Sequence, residues 1–390
     1  MRAALRPVTA ASLAALAALG CGVTDNIVGS LRASDGLPRG TGDGTFVANA
    51  TYPIGGTPVS VAVGDLNADG KLDLVTTLSD TASVGVLLGA GDGSFAAETE
   101  YGTATDPSPL VLGDLNSDGK LDIVVGNAMS HSVSVLLGRG DGTFARRRDF
   151  ATDDGPYAVA LRDLNGDGAL DIVAAAQRDS TACVLLGQGD GTFGTRVPYA
   201  SVTAPDALAL GDFDGDGNTD LALSSSASVS VAVQLGNGAG AFGAATPYAV
   251  ATNPLSVVVG DLNGDGRLDI ATADAAFGTM AVSLLFGNGD GSFAPAVNHA
   301  LDNYPNFLAL ADLNGDDQLD IVVADTFASS VSALVGTGSG QFAPEIPSPT
   351  QSHPDSLALG DFNGDGRLDL AVANYDSSSL SVLLGSGSNH

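Results

Sequence analysis

The chain has 390 residues, of which 45 are acidic and 15 basic, for a formal net charge of -30. A surface this negative repels phosphate backbones and anionic membranes, which excludes nucleic acid as a partner. A disordered acidic tail is excluded too, since 44% of the residues are hydrophobic and only 15% charged, while 52 glycines, 17 prolines and no tryptophan point to short strands and tight turns.

Residues 1–20 read as an export signal: Arg2 and Arg6 form a basic start, and the apolar run 8–19 is too short to span a bilayer. The following Ala18-Leu19-Gly20-Cys21 resembles a bacterial lipobox, in which cleavage leaves an N-terminal Cys that carries lipid. Two outcomes stay open: a lipoprotein anchored through Cys21, or ordinary cleavage near Gly20 into a secreted protein. Either is exported, to the bacterial cell envelope or beyond, and membrane association would run through Cys21 alone. Residues 21–40 carry Gly, Ser, Asp and Pro without apolar periodicity and read as a linker. Cys183 falls in a strand-like run where another repeat has Ser134, so it is expected as a small buried residue and not as a disulfide partner of Cys21.

Residues 41–390 repeat. The unit Asp-x-Asn/Asp-x-Asp begins at Asp65, Asp114, Asp163, Asp212, Asp261, Asp312 and Asp361, at intervals of 49 residues except for one of 51. A Pro stands seven residues before each first Asp, from Pro58 to Pro354, and a Phe nineteen before, from Phe46 to Phe342. A Gly stands twenty-four after it in six of the seven units, as at Gly89 and Gly385. Each unit reads as four strands: one running into the Asp loop (356–360), one leaving it (368–373), a third ending at a glycine turn (381–384), and a fourth starting at the registered Phe (95–101). Four strands of about five or six residues with their turns fill this period, which is that of a propeller blade. Calcium-binding β-helix repeats, about nine residues long, are excluded. The first Phe-bearing segment has no strands before it, and the last unit ends after its third strand. The expected fold is therefore an all-β, seven-bladed β-propeller of four-stranded blades, its ring closed by the N-terminal strand joining the C-terminal blade.

The chemical signal lies in the nine-residue loops. Oxygen-bearing side chains occupy positions 1, 3, 5 and 9, and position 6 is Gly, where positive φ is expected. Loop 1 offers Asp65, Asn67, Asp69 and Asp73, and loop 2 Asp114, Asn116, Asp118 and Asp122. Loop 3 offers Asp163, Asn165, Asp167 and Asp171, and loop 4 Asp212, Asp214, Asp216 and Asp220. Loop 5 has Asp261, Asn263, Asp265 and Asp269, loop 6 Asp312, Asn314, Asp316 and Asp320, and loop 7 Asp361, Asn363, Asp365 and Asp369. Position 7 is Lys71, Lys120, Ala169, Asn218, Arg267, Gln318 or Arg367, a tolerance expected if only its backbone carbonyl binds.

Hard oxygen donors in this number suit Ca2+, with up to seven ions. Such residues also make Asx turns without metal, but a turn needs one carboxylate, and three crowded together repel each other. The loops hold 23 of the 45 acidic residues, three in each plus Asp214 and Asp317. Seven divalent ions would bring the charge from -30 to about -16. Loop 6 carries Asp317 where the others have Gly, and Asp accepts left-handed geometry less readily, so this is expected to be the weakest site. Position 12 holds Thr76 or Val125 in place of the EF-hand Glu, so affinities on the order of 10⁻⁴ to 10⁻³ M are expected.

Phe register and Asp loop together resemble the FG-GAP/VCBS family, the blade type of the integrin α-chain head, over essentially the whole mature chain. The family's Gly-Ala-Pro element survives only in fragments such as 293–295 and 342–344. The resemblance implies a surface-exposed binding or cell-adhesion module in which calcium is structural. The expected protein is a monomer whose partner is an unidentified surface protein or glycan.

Strand order puts the Asp loops and the glycine hairpins on one face and the variable connections (127–131, 274–280 and 325–329) on the other, as the ligand surface. Phe277, Phe327 and Tyr375 are candidate contacts there. Arg139-Gly140-Asp141 spells an integrin-recognition tripeptide but arises from the recurring hairpin, and the basic run 146–148 reads as a solvated strand edge. Tyr52, Tyr101, Tyr199 and Tyr248 recur thirteen residues before the Asp and read as blade packing. His131, His299, His353 and His390 are scattered, with no nucleophile motif, so no catalytic residues are assigned. The alternatives are a propeller enzyme of polysaccharide lyase or hydrolase type and a structural envelope spacer.

Overall fold

The computed structural model describes residues 39–387 apart from Phe277; the signal segment, Cys21 with the linker to residue 38, Phe277 and His390 lie outside the described residues. Seven antiparallel four-stranded sheets form the blades of a β-propeller. Blade 1 consists of Pro58–Gly64, Asp73–Leu78, Ser83–Leu87 and Thr99–Gly102. Blade 7 combines Pro354–Gly360, Asp369–Asn374 and Ser379–Ser386 with the N-terminal strand Thr45–Pro53, paired from Thr45↔Ser386 to Pro53↔Ser379. The expected closure of the ring is thus observed.

Blade stacking explains the hydrophobic pattern. The first three strands of each blade are covered on both faces by neighbouring blades, so they read as nearly continuous apolar runs, as in Asp122–Asn127, where all six residues are buried. One cluster joins Ala62, Val75 and Val84 of blade 1 to Leu110, Ile123 and Leu136 of blade 2. Apolar area removed from water between blades, at about 25 cal/mol per Å², is what holds them in a ring. Fourth strands form the rim and keep one half-buried position, held by Tyr101, Phe150, Tyr199, Tyr248 and His299.

The expected fourth strand from Phe95 to Tyr101 is shorter than read from sequence. Phe95 makes a single bridge to Gly89, and the ladder resumes at Thr99↔Val86, one residue out of register. A one-residue bulge therefore interrupts the strand. The closing strand has the same shift between Ala48 and Ala50. The two extra residues of blade 5 enlarge no loop; they lengthen the hairpin, with Ala275↔Met280 and Ala276↔Thr279 added to the ladder.

First strands of successive blades pack side by side around the axis. At their N-terminal ends lies a cavity of about 230 Å³ to which all seven contribute. The residue six positions before each first Asp rings its mouth: Val59, Ser108, Tyr157, Asp206, Leu255, Asn306 and Asp355.

Candidate metal centre

Each Asp loop joins the first and second strands of its blade and is bent by its own side chains. In loop 1, Asp65 accepts the backbone N–H groups of Asp69 and Gly70 at 3.2 and 2.8 Å, Asn67 accepts from Asp69 at 2.9 Å, and Asp69 accepts from Lys71 at 3.0 Å. Loop 7 repeats this with Asp361, Asn363 and Asp365. Position 6 has positive φ as expected, 80° at Gly70 and 82° at Gly366. Position 4 is left-handed as well: five loops have Gly there, and Ala68 and Ser117 adopt φ of 59° and 56°. In loop 4, Asp212, Asp214 and Asp216 bring one oxygen each within 4.8 Å of one another. The other loops have Asn at position 3.

Position 9 has a role the sequence did not disclose. Asp73 is fully buried; its Oδ2 accepts the Leu66 N–H at 2.9 Å and its Oδ1 the Gly89 N–H at 2.7 Å. It therefore clips the start of the loop to the end of the third strand. All seven blades have this clip, as in Asp220 with Phe213 and Gly236. Burial pushes these carboxyls up, to about 6 for Asp73, Asp122 and Asp369 and about 7 for Asp220, Asp269 and Asp320. The two backbone N–H groups oppose that rise, and the position 1 and position 5 carboxylates add to it.

The loops also seal one blade to the next. Position 2 is a buried Leu or Phe whose carbonyl accepts an N–H from the following blade's glycine hairpin. Gly142 donates to Leu66, Gly191 to Leu115 and Gly93 to Phe362, at 2.9–3.1 Å. The aromatic residues complete the seam. Tyr52, Tyr101, Tyr199 and Tyr248 each meet the next blade's registered Phe edge to face at 5.3–5.8 Å, contacts worth roughly 0.5–1.5 kcal/mol each. Their expected role in blade packing is thus observed. His299 holds the same register position and packs on Phe342 at 5.9 Å. It is a rim residue of the repeat, a role legible from its spacing to Asp312.

Loop 6 differs. Asp317 takes the left-handed backbone at φ 65°, and Arg39 reaches into the loop, placing Nε 3.2 Å from Asp312 Oδ2 and Nη1 2.5 Å from Asp317 Oδ1. In other loops the position 7 cation pairs with position 5, as Lys120 with Asp118 at 3.1 Å.

Cys183 is buried, with its thiol pushed up to about 11, mainly by burial. Arg139 donates to the Phe144 carbonyl at 2.7 Å and Asp141 accepts from Thr143, so both ends of the tripeptide turn back on their own hairpin. Arg147 pairs with Asp149 along the rim. His131 pairs with Asp154 in one region and His353 with Asp376 in another. On the variable face, Tyr304, Phe327, His353 and Tyr375 form a run of rings spaced 4.9–6.2 Å apart, with Phe327 62% and Tyr375 40% exposed.

A family model described as FG-GAP-like repeat matches residues 22–76, 69–125, 114–174, 163–223, 212–272 and 312–372. No curated protein matches significantly. Among solved structures, the chain is similar to BBS1N in complex with ARL6DN at 11% identity and TM-score 0.63, over 89% of this chain and 98% of that one. It is similar to an Agrocybe aegerita lectin, described as recognising non-reducing terminal N-acetylglucosamine, at 18% identity and TM-score 0.54, over 89% and 100%. A third is virginiamycin B lyase from Staphylococcus aureus, at 12% identity and TM-score 0.57, over 87% and 98%. These are likenesses of fold, and they include both a lyase and a lectin.

Proposed function

Since the chain belongs to the FG-GAP-like repeat family, we propose that it is an exported, calcium-binding propeller serving as a binding or adhesion module, with calcium structural. The carrying observation is the loop itself. Its donors are all oxygen, its side chains curl around one turn, and its second residue bonds to the neighbouring blade. An ion would be held by the side chains at positions 1, 3, 5 and 9 and the position 7 carbonyl, and would supply positive charge where carboxylates crowd. The loop would then resist opening, and so would the seam attached to it.

With calcium at ten times its dissociation constant, each site should add about 1.4 kcal/mol. Seven sites should together raise the melting midpoint by on the order of 10 °C or more. Differential scanning calorimetry in EDTA and in millimolar calcium measures this, and an unchanged midpoint would rule out structural calcium. Loop 6 should fill last, because the Arg39 guanidinium competes for Asp312 and Asp317. Arg39→Ala is expected to raise the number of ions bound at limiting calcium, read by equilibrium dialysis, and an unchanged count would refute the competition.

The ligand surface is proposed on the face away from the loops, where the run from Tyr304 to Tyr375 offers exposed rings to a surface protein or glycan. Export to the cell envelope, with or without lipid on Cys21, completes the reading.

A further inference from the structure

The seven repeats identify which positions the fold dictates. Seven residues before each first Asp stands a Pro without exception, but one step later the residue types diverge into apolar, hydroxyl, aromatic, amide and acid. These divergent residues ring the axial cavity. A position that scaffold packing leaves free, and that opens onto a concave space, is available for recognition.

The chemistry of the ring is one-sided. Asp206 and Asp355 both line the cavity, and no Lys, Arg or His does. Asn306 donates to Asp355 Oδ1 at 2.6 Å and to its main-chain carbonyl at 3.1 Å, which fixes the carboxylate against the wall. Burial holds this acid up at about 6, with the nearby His353 opposing the rise. Asp206 is steadied by Gln177 Nε2 at 2.7 Å and the Ser226 N–H at 2.6 Å. Ser60 provides a second, independent observation: it is 2% exposed, it lines the cavity, and its Oγ has no hydrogen-bond partner. A buried hydroxyl without a partner is costly, and a donor brought by a ligand at this spot would satisfy it.

Asp206 and Asp355 sit three blades apart, and no third acidic, His or Cys side chain joins either in a chelating group among the described residues. The arrangement therefore lacks the donors of a multivalent metal cage. Leu255 and Phe307 supply apolar wall between the polar arcs. We propose that the axial mouth binds a small organic cation carrying a primary ammonium on a short aliphatic stem, with Asp355 as its counter-ion and Ser60 Oγ as a further acceptor. That head can be a free amine or the end of a partner's lysine. The cavity, about 230 Å³, has room for such a group.

The site lies on the face opposite the Asp loops, so its failure is separable from failure of the calcium reading; calcium is held constant throughout the test. Isothermal titration of the whole protein with n-butylammonium and with Nα-acetyl-lysine methylamide should show one site, and the tighter of the two identifies a free amine or a lysine as the source. Butan-1-ol should not compete. Asp355→Asn should weaken binding at least tenfold, while Asp302→Asn on the same face should leave it within twofold. Should Asp355→Asn fail to fold, Leu255→Lys, which sets an ammonium in the mouth without touching Asp355, should also weaken binding at least tenfold. Absence of binding, equal binding of butan-1-ol, or unaltered affinity in the folded variants would overturn the assignment.

Discussion

Gly236→Ala is expected to cost more than about 3 kcal/mol, enough to lose most soluble protein. The new Cβ would lie 2.0 Å from the Thr219 carbonyl oxygen and 2.9 Å from its carbon. Both are main-chain atoms at the exit of the Asp loop, so no rotamer change relieves the clash. Moving the strand instead would draw the Gly236 N–H off Asp220 Oδ1, at 2.7 Å, and leave a buried acid short of a donor. The same approach recurs in every blade, at 2.0–2.4 Å for Gly89, Gly138, Gly187, Gly236, Gly287, Gly336 and Gly385. Gly102→Ala is the comparison: nothing lies within 4 Å of its added carbon, and stability should stay within about 0.5 kcal/mol. Urea unfolding of the two variants checks both numbers; a Gly236 variant as stable as the parent would refute the close-approach argument.

The second large effect is a gain. Asp325 is fully buried in blade 6, with Ser330 and Ser332 donating to Oδ2 and nothing meeting Oδ1. Burial first, and then the charge of Glu345, pushes it up to about 7. The unfolded chain would release this proton near the ordinary value of 3.8. Between the two values the folded state holds more protons, so this group's contribution to stability is whole below pH ~4 and is lost as pH rises through about 7. At 1.36 kcal/mol per unit, the ceiling on that loss is about 4 kcal/mol. Asp325→Asn removes the penalty and has a precedent in the chain, since Asn127 and Asn374 hold the same register position. Asn127 Nδ2 donates to Ser134 Oγ at 3.0 Å and to the Ser132 carbonyl at 3.1 Å. The variant should be more stable at pH 8.5, and its advantage should shrink by about 2 kcal/mol at pH 5.5. Chemical denaturation at the two pH values, in saturating calcium, decides it; an advantage independent of pH would show that Asp325 is ionised in both states.

Recurrence within one chain made most of the architecture readable. Pro, Phe and Asp held in register seven times define the blade, and the unmatched strand at each end defines closure. What the sequence withheld is what passes between blades. Position 9 reads as a further ion ligand because nothing local shows that Gly89, sixteen residues on, will donate to Asp73. The carbonyl at Leu66 is matched by Gly142, in the next repeat, and identical copies give no cue to which copy is the partner. Arg39 falls in a stretch without periodicity, so its place in loop 6 has no pattern to announce it. His299 keeps the register of Tyr248, so its rim position is legible from spacing alone. The fourth-strand bulge was hidden because an extra unpaired residue leaves the 49-residue period unchanged.

The closing strand also determines which way the molecule looks. Arg39 lies against loop 6 and Thr45 pairs at the Ser386 end of blade 7, so the chain enters the disc from the loop side. Residue 39, the first described, thus sits on the loop side, and the axial mouth with its neighbouring aromatic run opens on the other. Closure by the N-terminal strand therefore leaves the axial mouth on the side of the disc free of that strand's entry, so extending the chain before Arg39 does not obstruct the mouth's rim.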